Sequence, residues 1–366
     1  MNQKTSVMLI ATVSLAASVG RAESPPLRDE PQRRHRILQE LGPKFSLHAT
    51  DHFLVFFDRQ RDWAIQRGRL LEKSYNQFYG MMHEVGWPVR PLRHRLVCIL
   101  LHDRARFVEY ARTTDQLTEH WPNGYYSSGT NRIAFYNDAT AEPLRKLAAQ
   151  LRGRQTQLDQ LYLRLQGMHA PVRPVERANL DARIRTLQRQ LDSLHRTQWL
   201  VVERANASKA THEAVHQLAF NSGLQQRGLA YPFWMVEGLA TNFEAQDLNR
   251  PFGLGFDNPA RRTVLRSAVR RNEMVPLEQF VVIVDPRKAA EAHRNLLYAE
   301  AWGLFRYLFE HHRPQLMQSF RSYATKPVEG GDALRRWFTD SFGPIDAVQA
   351  RWMRYLGELR AFSPQP

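Results

Sequence analysis

Cysteine is almost absent from this chain: Cys98 is the only one in 366 residues. No intrachain disulfide can form, so stability has to come from a buried core, which a chain of this length can supply. The place of Cys98 inside the apolar run Leu96–Leu101 predicts a buried strand residue without a redox role. Lysine is scarce too, seven of the 51 basic residues, so the net charge of +15 is carried almost wholly by arginine. The arginines are scattered and no nucleic-acid motif accompanies them, so the charge predicts no specific nucleic-acid partner. Beyond residue 22 no apolar run approaches the roughly 18 residues of a membrane span, which predicts a mature chain without a transmembrane segment.

Residues 1–22 read as a secretory signal peptide: a short start with Lys4, an apolar run from Val7 to Val19, and small residues around Gly20-Arg21-Ala22. No cysteine lies near the cleavage site, so a lipid-modified anchor is not expected. The predicted location is secreted or periplasmic.

The remaining chain divides by texture. Residues 23–44, rich in Pro, Arg and Glu, predict a flexible basic lead. Residues 45–141 predict the α/β part of one domain: a strand through Phe53–Phe57, a helix over Asp62–Val85, a strand over Arg95–Leu101 and a helix over Arg104–Arg112. Two short strands follow around the Ser-Gly-Thr-Asn turn between Gly124 and Tyr136. Over 142–203 leucines recur every seven residues, at 144, 151, 158 and 165. They resume at 180, 187 and 194, with Val201 beyond, after a Pro-rich break. This predicts two helices paired as an antiparallel coiled-coil hairpin, inserted into the domain. Residues 204–360 read as mostly helical.

The chemistry lies in that last segment. His212, Glu213 and His216 have the spacing His-Glu-x-x-His. On a helix, positions i and i+4 share one face, so both imidazoles can reach one zinc ion while the glutamate reaches a water at the metal. The flanking Ala214, Val215, Leu218 and Ala219 are apolar, as a buried helix requires. Further on, Glu237 stands alone among apolar and small residues (Trp234, Met235, Val236, Gly238, Ala240). A carboxylate there is costly unless it is paired or metal-bound, which makes it the candidate third ligand.

His212-Glu213-x-x-His216-Gln217, followed by Trp234-x-x-Glu237-Gly238-x-Ala240-x-x-Phe243-Glu244, resembles the gluzincin zinc metallopeptidases of the peptidase-MA-like superfamily. The stretch Tyr298-Ala-Glu-Ala-Trp302 resembles the helix that follows in those enzymes. Still closer is the resemblance to a secreted bacterial family, domain of unknown function 1570. The resemblance implies a thermolysin-like α+β zincin: a mixed N-terminal sheet, the His-Glu-x-x-His helix and a helical C-terminal lobe. It implies one zinc ion held by His212, His216 and Glu237, Glu213 as general base, and Tyr298 as a hydrogen-bond donor to the oxyanion. Glu244 is implied as an outer partner of a ligand imidazole. The expected activity is hydrolysis of peptide bonds in a peptide or protein substrate.

The chain departs from the aminopeptidases among these relatives, because it lacks their Gly-x-Met-Glu-Asn element for capturing a free amine. The strands around Tyr125–Tyr136 occupy that place, so exopeptidase action is not implied. The other reading is a non-catalytic, zinc-containing envelope or binding protein that engages a partner through the 142–203 hairpin and its basic surface. An intact Glu213 counts against it, since a purely structural site needs no base.

Overall fold

A computed structural model describes residues 31–117, 124–137, 142–167, 174–245, 247, 249–286 and 291–358. The signal peptide expected over residues 1–22 lies outside them. Among the described residues no helix is long and apolar enough to cross a membrane.

The fold is α+β. Five short strands form one mixed sheet in the order β1-β2-β3-β5-β4. β2 (Phe53–Phe57), β3 (Leu96–Leu101) and β5 (Arg132–Tyr136) run parallel, while β1 (Ser46–Ala49) and β4 (Gly124–Ser127) lie antiparallel at the two edges. Every residue of β2 and β3 is buried. Unbroken apolar runs are what a parallel sheet covered on both faces requires. Phe53, Val55, Cys98, Leu100, Ile133 and Phe135 face the main core, whereas Leu54, Phe56, Val97, Ile99 and Tyr136 face a second one. Cys98 is fully buried, and burial pushes its thiol well above the ordinary range, consistent with an inert core position.

The first face is covered by α2 (Arg61–Glu84) and by α5 (Pro174–Asn221). The second face receives α1 (Pro31–Leu41) and α3 (Arg104–Thr114), whose start is capped by the Asp103 carboxylate accepting from the Arg106 N–H. Helix α1 corrects the expectation of a flexible lead over 23–44 where that segment is described, residues 23–30 lying outside the described ones. Its Ile37 is 3% exposed in the second core, with Leu38 and Leu41 packed against the same core, so a few apolar residues among polar ones hold the helix down.

The two heptad segments are helices: α4 (Glu142–Gln166) and the first half of α5. They share a small core of Leu151, Leu158, Leu161, Ile184 and Leu191, separate from both sheet cores. The seam stops before the expected Val201, which is 47% exposed, while its neighbour Val202 is buried. The expected boundary at 203 is also not a break. The arm and the His-Glu-x-x-His segment are one helix of 48 residues. It enters the body at Glu203, which pairs with the buried Arg67 of α2, and at Asn206, which donates to Asn137. Nothing between 174 and 221 supplies a glycine or proline to interrupt it. Shortening both helices symmetrically, with a new turn placed beyond Ala148 and before Arg196, should therefore leave the body's melting temperature nearly unchanged by circular dichroism. Loss of cooperative melting would instead make the arm part of the core.

Beyond α5 the chain is helical: α6 (Phe233–Asn242), α7 (Pro259–Arg271), the single turn α8 (Leu277–Phe280), α9 (Glu291–His311), α10 (Arg313–Thr325), α11 (Gly331–Phe342) and α12 (Ile345–Glu358). α6 lies flat on α9. A Cβ at Gly238 would fall 2.7 Å from the Phe305 Cβ and 2.8 Å from the Ala301 carbonyl oxygen, so only glycine permits this approach.

Glu300 of α9 is fully buried. One carboxyl oxygen accepts from the Val275 N–H, while the other meets no partner among the described residues. Burial pushes this carboxyl up to about 8. The neutral form is thus favoured in the folded chain, and its contribution is full below the ordinary carboxyl value and lost as pH rises to about 8. Wild-type stability should fall through that window by about 1.4 kcal/mol per pH unit relative to Glu300→Gln. Urea melts at pH 5, 7 and 9 test this, and a difference that stays constant with pH would contradict it.

Candidate metal centre

His212 and His216 project from the inner half of α5, one turn apart, with ring centroids 4.8 Å from each other. This part of the helix is buried without interruption from Ala210 to Ala219, pinned between sheet and α6. Gln217 helps to fix its rotation by donating to the carbonyls of Val97 and Asn131 on the sheet side. Thr211 fixes it on the other side by accepting from the Ala245 N–H at 3.0 Å.

Glu237 comes from α6. Its Oε2 lies 3.0 Å from the His212 Nε2 and 3.4 Å from the His216 Nε2, and the two Nε2 atoms are 3.1 Å apart. These three side chains could hold one metal ion. The distances fit that use: donors each about 2.0–2.1 Å from a tetrahedral ion stand about 3.3–3.4 Å from one another. Two ring nitrogens and a carboxylate oxygen converging on one point is also a poor arrangement for protons alone, since each Nε2 faces another acceptor of the set.

Glu244 stands on the opposite ring nitrogen. Its Oε1 lies 3.0 Å from the His212 Nδ1, so that nitrogen donates its proton and leaves the Nε2 lone pair turned towards the convergence point. Arg261 of α7 holds Glu244 with two bonds, Nε to Oε2 at 2.8 Å and Nη2 to Oε1 at 2.6 Å. Asn258 donates a further one at 3.0 Å and uses its own carbonyl to cap α7. Burial raises a carboxyl, but here the Arg261 guanidinium and the His212 ring outweigh it and hold Glu244 at about 2. For Glu237 burial acts the same way and is overcome by His216 and His212, which keep it well below the carboxylate range. The His212 ring feels burial in the opposite sense, and Glu237 and Glu244 nevertheless raise it to about 10, so without a metal Nε2 also carries a proton, which a bound ion would displace.

Glu213 stands beside this group and is not one of the three convergent donors. It is buried, and the backbone N–H of Tyr126 on the edge strand β4 lies close enough to favour its charged form. Burial pushes it upward, against the opposing pull of His212 and His216. Tyr298 of α9 presents its ring 6.0 Å from the His212 ring, wedged between Phe233 and the Arg261 guanidinium, which sits 5.3 Å from the ring centroid. Burial and the negative charge of Glu237 raise its phenol well above the ordinary value, so it stays protonated.

All six residues singled out from the sequence thus lie around one point. Arg261, Asn258 and the Tyr126 backbone were not singled out. The Asn258-Pro259 pair is a legible helix start, but nothing in sequence spacing aims Arg261 back at Glu244. Replacing Arg261 with Met should free Glu244 to turn away from His212 and weaken metal binding by roughly 10–100-fold. Competition against a chromophoric chelator measures it, and unchanged affinity would remove Arg261 from the site.

No curated protein matches the chain. Residues 206–329 match the family model described as Protein of unknown function (DUF1570). That stretch contains His212, Glu213, His216, Glu237, Glu244, Arg261 and Tyr298, whereas the sheet and the whole 142–203 hairpin lie outside it.

Proposed function

We propose that this chain is a zinc-dependent metallopeptidase of gluzincin type, with a thermolysin-like arrangement of sheet, metal helix and helical lobe. His212, His216 and Glu237 hold the ion. The single observation that carries the reading is Glu213: a buried carboxylate beside a three-donor metal group and excluded from it.

Zinc in such a site lowers the pKa of a water towards ~7 and polarises a carbonyl oxygen. The two-nitrogen, one-oxygen donor set leaves a fourth position for that purpose, which a closed structural site does not. Glu213 takes the proton of the attacking water at its carboxylate and delivers it to the departing amine nitrogen. The burial that raises its carboxyl suits both halves of that exchange, because a base that is too acidic cannot hold the proton. Tyr298, kept protonated, donates its hydroxyl hydrogen to the oxygen of the carbonyl under attack. Glu244 and Arg261 keep His212 in the tautomer that exposes Nε2. β4 is an edge strand beside Glu213, so an extended peptide can add to it by main-chain hydrogen bonds.

Zinc-loaded protein should cleave members of a mixed peptide library, with mass spectrometry as the readout. Chelation should stop cleavage and added zinc should restore it. Tyr298→Phe should keep the metal and lose up to about 2.7–4 kcal/mol of transition-state stabilisation, the value of one oxyanion donor. A Tyr298→Phe rate equal to wild type would take that residue out of the mechanism.

A further inference from the structure

A second concave site lies away from the metal ligands. A cavity of about 630 Å³ opens where β3 begins, between α1, the C-terminal end of α5 and the turn preceding β5. Six arginines line it: Arg33, Arg36, Arg90, Arg93, Arg95 and Arg227. None of the fifteen lining residues is acidic. The chain's own arginine content, 44 in 366, would place about two among fifteen residues, so composition does not explain the cluster.

Among the described residues, Arg36, Arg90, Arg93 and Arg227 pair with no carboxylate. Arg227 donates to the neutral Tyr126 hydroxyl and Asn221 carbonyl. Arg90 is fixed by its N–H to the Ser222 carbonyl and by packing of its guanidinium on Gly223, where a side chain would find no room. Guanidinium groups gathered around one volume repel one another, and an anion in their midst relieves that repulsion.

An independent observation points into the same volume. Gln225 lines the cavity with a side chain only 1% exposed, yet neither its amide nitrogen nor its amide oxygen has a hydrogen-bond partner among the described residues. A buried amide left without partners costs about 1–3 kcal/mol, so such groups are ordinarily satisfied.

We propose that this cavity binds a compact phosphate oligoanion, a small molecule with two or more phosphate groups held by the arginines, with the Gln225 amide meeting its oxygens and a hydroxyl. The volume is that of a small-molecule site. Phosphates bring more charge per volume than carboxylates, about −1.5 to −2 each for a monoester, and match the fork of a guanidinium. A long polyanion would need an extended basic groove, and this site is a pocket. The site stands apart from the proposed peptidase reaction and does not depend on it.

Isothermal titration of the full chain with sodium tripolyphosphate in 150 mM sodium chloride tests the proposal. Because tripolyphosphate chelates zinc, the titration is repeated on His216→Ala. Binding near one per chain, equal in both proteins, is expected. Arg36→Ser/Arg93→Ser removes two exposed charges without touching a core contact and should weaken binding at least 10-fold, with an unchanged melting temperature. Arg183→Ser/Arg185→Ser removes the same charge from the exposed arm and should change it less than 2-fold. No binding by wild type, equal losses in the two double variants, or binding that vanishes in His216→Ala would each overturn the proposal. Co-sedimentation with phosphatidylglycerol vesicles separates free phosphates from lipid headgroups. Capture by vesicles with no heat from tripolyphosphate would overturn it as well.

Discussion

Replacing His216 with Ala should reduce zinc from about one per chain to a small fraction, and peptide cleavage should disappear with it. The imidazole is one of only three protein donors, and neither neighbour can substitute. Glu213 is not among the convergent donors, and Glu244 is committed to Arg261 and the far nitrogen of His212. Two donors, His212 and Glu237, are fewer than a catalytic zinc keeps. The same change has a thermodynamic signature that needs no substrate. A ligand that binds only the folded chain stabilises it by about 2.7 kcal/mol at one hundred times its dissociation constant. Wild-type melting should therefore rise with added zinc while His216→Ala stays flat over the same concentrations. Zinc content by mass spectrometry and zinc-dependent melting give two independent readings of one claim. A variant that keeps both would remove His216 from the centre.

Much of the site was legible in the sequence because it rests on local periodicity. The i, i+4 histidines and the apolar flanks of α5 follow from helix geometry alone. Glu237 could be noticed because a carboxylate among Trp234, Met235, Gly238 and Ala240 violates the expectation for an apolar helix. What spacing could not supply was direction. Glu244 is held by Arg261, 17 residues away on another helix, through a chain reversal that ends in the Asn258 cap. Tyr126 brings its backbone N–H near Glu213, a placement for which a sequence carries no residue-specific signal.

The fold divides the same way. β2 and β3 announced themselves as unbroken apolar runs, and the heptads of α4 and α5 marked a hairpin. Composition misled at both ends of that pattern. Residues 31–41 look like a solvated lead, yet Ile37, with Leu38 and Leu41 beside it, anchors a helix on the sheet. Val201 continues the heptad in register, yet Val202 rather than Val201 is buried. A seven-residue repeat drifts against the 3.6-residue helix, so the buried face moves off the heptad positions after a few turns. The continuity of arm and metal helix has the same origin: two patterns with different partners share one uninterrupted backbone.

The basic cavity illustrates a third kind of information. Its arginines come from α1, the segment before β3 and the loop after α5, and in the sequence they are indistinguishable from the other arginines of a strongly basic chain. Only the fold gathers them around a buried amide.

Glu213→Gln is the decisive substitution for the catalytic reading. The amide keeps the size of the side chain, and it removes none of the three metal donors. It cannot take a proton at neutral pH, so the attacking water loses its base. A positioned base contributes roughly 10²–10⁴-fold. The most direct measurement is turnover per bound zinc, determined on wild type and Glu213→Gln preparations against the same peptide library. Equal zinc in both, with turnover lower in the variant by about 10²-fold or more, is the expected result. Zinc bound in both, with no cleavage by wild type and no difference between the two, would contradict the catalytic reading and leave a metal-bearing binding protein in its place.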